Sequence, residues 1–150
     1  KSQSHTISGG FGNFEGFNVC MHHHTKKVIY HYGYGTDLNL YGQGFYHSVF
    51  AGIGRPLLKE WVHTSNTMSL HGKILIWNLE NKSNIFSAVA FSPQLQYTRK
   101  ISTLYSVSVY LGYVYSSVFR YKRKSYEEIG WPREWLSNFG FSIHYGLSCK

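Results

Sequence analysis

With 150 residues the chain can form one domain with a sizeable core, or about eight strands of roughly ten residues plus turns. A formal charge of +8 and a pI near 9.5 favour anionic partners, and aromatic residues reach 18%, 13 of them Tyr. No apolar run approaches the roughly 20 residues of a spanning helix, and mean hydropathy is −0.28, which excludes a helical membrane protein but not a barrel that crosses on alternating strands.

In chain order, the first two runs are His5 to Phe11 and Phe14 to His22, divided at Gly12-Asn13. Ile7, Gly9, Phe11, Phe17, Val19 and Met21 keep one phase, so the same residues also permit one longer strand, with Leu57 to His63 supplying the eighth. His22-His23-His24 follows, with His31 nearby in sequence. On extended chain His22 and His24 share a face, and an adjacent strand could add a third imidazole to a metal site. No Cys or carboxylate sits at supporting spacing, so the run reads as exposed beside Lys26 and Lys27, and neither metal nor other cofactor is expected.

Lys27 to Gly35 alternates Tyr30, Tyr32 and Tyr34 with Ile29, His31, Gly33 and Gly35, and turns at Thr36-Asp37. Leu40 to Ile53 ends at Gly54-Arg55-Pro56. Met68 to Leu79 sets Met68, Leu70, Gly72, Ile74 and Ile76 against Ser69, His71, Lys73, Leu75 and Trp77. Asn84 to Phe91 is stopped by Pro93. Ile101 to Phe119 is the clearest run: Tyr105, Val107, Val109, Leu111, Tyr113 and Tyr115 occupy one face, and Ser102, Ser106, Ser108 and Gly112 the other. Trp135 to Ser148 repeats this, with Phe139, Phe141, Ile143 and Tyr145 opposite Asn138, Gly140, Ser142 and His144.

A strand wet on its second face would carry Lys, Glu or Thr there, whereas a narrow closed barrel needs small inward residues. Charges gather at run ends, as at Arg55, Lys59 and Glu60, or Arg99 and Lys100; only Glu15 and Lys73 fall within a run. A charge facing lipid at mid-depth costs about 2–4 kcal/mol, so this placement fits a wall that meets hydrocarbon. Tyr and Trp near run ends suit the boundary between lipid and water. The reading is all-β: a closed antiparallel up-and-down transmembrane β-barrel of about eight strands, one domain over residues 1–150.

The run count, aromatic flanks and small inward faces make the whole chain resemble the small eight-stranded outer-membrane barrels, such as the membrane domain of outer-membrane protein A. The terminal run also resembles their insertion signal through Phe139, Phe141 and Tyr145, but ends Leu147-Ser148-Cys149-Lys150 where an aromatic residue is usual. The resemblance implies a bacterial outer-membrane location, both termini on the periplasmic side, and the segment from Phe119 to Glu134 outside the cell. There Arg120, Lys122, Arg123 and Lys124, with Tyr126 and Trp131, form a cluster suited to lipopolysaccharide phosphates or to a partner protein in a larger membrane complex. The same residues also suit a solvated rim.

Such a barrel is filled by its own side chains, so its lumen is expected to hold a polar network of Glu15, His71, Lys73 and His144, with Glu15 the counter-charge to Lys73. Ser142 and His144 share a face, as in a hydroxyl activated by imidazole, and lipid A deacylating barrels use a related pair. The order here is reversed, no carboxylate lies on the run, and both point inward, so a non-enzymatic structural or accessory subunit is expected. A soluble lipocalin-like barrel with the faces inverted is the other rival. Nucleic acid is not expected, because the basic residues are spread among turns. Cys20 and Cys149 are expected to be free thiols.

Overall fold

A computed structural model of the protein describes residues 4–25, 27–36, 45–58, 66–80, 84–123 and 135–147. Eight strands follow in order: β1 (Ser4–Gly12), β2 (Gly16–His24), β3 (Ile29–Thr36), β4 (Phe45–Leu58), β5 (Asn66–Glu80), β6 (Asn84–Lys100), β7 (Tyr105–Arg123) and β8 (Trp135–Leu147). Each pairs antiparallel with its sequence neighbours, and β1 pairs with β8 from His5↔Leu147 to Gly12↔Gly140, closing the barrel.

Alternation decides which side chains go in and which go out. Residues at outward positions are large and apolar, including Val19, Ile53, Ile74, Leu111 and Ile143, with Leu111 69% exposed. Inward positions hold Ser8, Ser48, Ser92 and Ser108, each at most 2% exposed. Tyr105, Val109 and Tyr113 point outward, so the inverted arrangement of a ligand-holding soluble barrel is not the one this chain adopts.

Several expected boundaries are corrected. Residues 7–21 do not form one long strand: the chain turns over 13–15 and restarts at Gly16, whose φ of 67° lies in the left-handed region that glycine tolerates. Glu15 therefore belongs to this turn and not to a strand. Gly54-Arg55-Pro56 does not end β4, which continues to Leu58; Pro56 sits at a register shift against β5, where a missing N–H is tolerated.

Pro93 does not end β6. It pairs with Gly72 on the β5 side, while the β7 register skips from Phe91↔Tyr115 to Gln94↔Gly112, so the absent donor falls opposite an unpaired stretch. Ile101 to Leu104 form the β6–β7 connection, tied by Ser102 Oγ accepting from the Leu104 and Tyr105 N–H groups. At the other end β7 runs past Phe119 to Arg123, and Arg120 pairs with Ser87 and Lys122 with Ile85 in the ladder. The Leu57 to His63 alternative reaches beyond Leu58 into residues outside the described ones, as do Lys26 and Leu40 to Gly44.

Candidate functional site in the barrel lumen

Three tiers of side chains occupy the barrel, and β5 shows their order. On β5 the inward sequence is Ser69, His71, Lys73, Leu75 and Trp77. It passes from imidazole through charge to apolar bulk. The apolar tier packs Leu75, Trp77, Ala88, Ala90 and Val114 with Phe50 and Cys20. Cys20 is a buried free thiol, and Cys149 lies outside the described residues.

The middle tier is an ion pair with polar ligands. The β1–β2 turn folds Glu15 back into the barrel, where its side chain is fully buried and Lys73 Nζ lies 2.6 Å from Oε1. Tyr110 donates to Oε2 at 2.8 Å, and Gln94 Nε2 lies 3.4 Å from Oε1. Gln94 also donates to Ser92 Oγ at 3.1 Å, which accepts from Asn138 Nδ2 at 2.9 Å. The Lys73 ammonium stands 4.8 Å from the Phe50 ring centroid and 5.0 Å from that of Tyr110. A carboxylate and an ammonium out of water are tolerable only with this degree of pairing. Together they occupy the middle of the lumen.

The third tier is histidine. His22, His31, His71 and His144 face inward and are each buried. Three of them are held by serine: His22 Nε2 lies 2.8 Å from Ser8 Oγ, His71 Nε2 2.7 Å from Ser69 Oγ, and His144 Nε2 2.9 Å from Ser142 Oγ. His22 and His24 thus belong to the wall of β2 and do not form an exposed run beside lysine; His24 reaches Thr6 Oγ1 at 3.1 Å.

Of the residues singled out from sequence, Glu15, His71, Lys73 and His144 all occupy the lumen, with Glu15 and Lys73 in contact and the two histidines in the tier next to them. Arg120, Lys122 and Arg123 lie on the far end of β7, and Lys124, Tyr126 and Trp131 lie outside the described residues. Tyr110, Gln94, His22 and His31 were not singled out as lumen residues. Ser92, Gln94, Gln96 and Thr98 do alternate with Phe91, Pro93, Leu95 and Tyr97, and that pattern, read through the proline, would have found Gln94.

No family model matches the chain, and no curated protein matches it. Among solved structures it is similar to the crystal structure of Neisserial surface protein A, with a TM-score of 0.57 over 95% of this chain and 94% of that one. The fold is that of a small eight-stranded outer-membrane barrel. Sequence identity is 6%, so the likeness is one of fold alone.

Proposed function

We propose that this protein is a non-enzymatic barrel of a bacterial outer membrane, a structural or accessory subunit that acts through its outer wall and its loops. The observation that carries this reading is the division of side chains: an apolar wall outside, and inside a bore occupied by Glu15, Lys73, Tyr110 and their partners. A lumen occupied by its own side chains argues against transport. The Ser142 and His144 pair turns into the lumen, away from any lipid substrate, and the lumen carboxylate Glu15 is engaged by Lys73 and Tyr110. This supports a scaffold over a lipid A deacylase.

The wall would contact outer-membrane lipid, and the basic cluster from Arg120 to Lys124, with Tyr126 and Trp131, would meet lipopolysaccharide phosphates or a larger membrane protein. The test is membrane fractionation followed by a pull-down in mild detergent. The expected result is an outer-membrane protein that co-purifies with a larger membrane protein and loses it when the four cations from Arg120 to Lys124 are replaced by Ser. Recovery in the soluble fraction without detergent would overturn the membrane reading. Purification as a lone chain from an intact outer membrane would overturn the accessory role.

A further inference from the structure

The histidine tier is built around an unanswered residue. His31 is 4% exposed, yet neither of its ring nitrogens has a hydrogen-bond partner, although a neutral imidazole presents one donor and one acceptor. Such buried orphans call for an explanation, commonly a water or an ion. The His22 and His71 rings adjoin it, and His144 adjoins His22. The centroids of His22 and His31 are 5.9 Å apart, those of His31 and His71 5.1 Å, and those of His22 and His144 4.8 Å. Imidazoles bound tetrahedrally to one ion at about 2.0–2.1 Å place their centroids about 5 Å apart.

The backbone has been cleared for these rings. A Cβ on Gly52 would run into His31 Nε2, and one on Gly54 into the His71 ring, so the two inward glycines of β4 leave room for imidazoles from β3 and β5. A cavity of about 30 Å³ adjoins His22, His31, His71 and Lys73. Serine hydroxyls hold Nε2 of His22, His71 and His144, and where that nitrogen donates to the hydroxyl the lone pair is left on Nδ1, as in the second-layer hydrogen bonds of metal-binding histidines. Lys73, which lines the same cavity, is balanced by Glu15.

We propose that this tier is a lumenal site for one divalent transition-metal ion of the imidazole-preferring group, such as Cu²⁺ or Zn²⁺, with His31 and His22 as core ligands and His71 or His144 completing the set. Among the described residues no three donors already converge on one point, so loading turns the rings about their side-chain bonds. The ligands bind as neutral imidazoles, without redox change.

The test uses the full chain folded in detergent, stripped with EDTA and titrated with Cu²⁺. Electron paramagnetic resonance is expected to report one ion per chain with coupling to three or more nitrogens. His31→Ala and His22→Ala are each expected to weaken binding about tenfold or more, and Ser8→Ala to weaken it by a smaller factor. If the His31 variant does not fold, His144→Ala and the nitrogen count of the unmodified protein decide. The competing site is on the outer wall, where His5 Nδ1 and His23 Nδ1 are 3.3 Å apart. A two-nitrogen signal abolished by His23→Ala, or no binding at micromolar Cu²⁺, would overturn the lumenal site.

Discussion

The Glu15 and Lys73 contact spans 58 positions in sequence and joins a turn to the middle of β5. Removing one partner leaves a buried charge without an answer, which costs about 3–5 kcal/mol, whereas replacing both with apolar residues of similar size is nearly neutral. Lys73→Met alone is therefore expected to lower the unfolding free energy of the detergent-folded protein, read from urea titration, by an amount in that range, and Glu15→Leu with Lys73→Met to recover most of it. Both residues stood out in the sequence as charges inside alternating runs. Their acceptors and donors did not, since nothing local distinguishes Tyr110 from the outward tyrosines of the same strand except its phase. His31 was similarly hidden: its burial depends on β2, β4 and β5 arriving on three sides, which is tertiary information.

Strands were the most legible level of this protein, because period-2 patterning follows directly from the pleat. Their ends were the least legible. Pro93 and Pro56 read as terminators, yet each lies where a ladder skips a pairing, and only the neighbouring strand's register reveals that. The outward face of β7 offers a depth gauge. Leu111→Arg, near the middle of the strand, is expected to destabilise the lipid-embedded barrel by about 2–4 kcal/mol, and Tyr105→Arg, at its rim, by about 0–1 kcal/mol. Denaturant titration in phospholipid vesicles measures both. Equal, small effects at the two positions would mean that this face meets water.

For the whole molecule, closure and filling act together. Eight strands give an interior just wide enough for side chains, and here imidazoles, an ion pair and an apolar tier occupy it in succession. The protein reconstituted into a planar bilayer is expected to give no discrete conductance steps; ion-selective steps in the unmodified chain would show that the bore opens. The barrel class was legible because sparse charge, small inward residues and aromatic outward residues all agreed. Partner and role were not, because a wall that suits lipid carries no address.

The seam between β1 and β8 has its own consequence. Its eight pairs link His5 to Leu147 through Gly12 to Gly140, so β1 finds its second neighbour only after the six strands between them have been made. Until then two ribbon edges hold amide and carbonyl groups that oil cannot hydrate. A chain shortened by its final thirteen described residues is thus not a smaller barrel but an unfinished hoop with two raw margins, and it should be cleared by proteases where the intact ring survives.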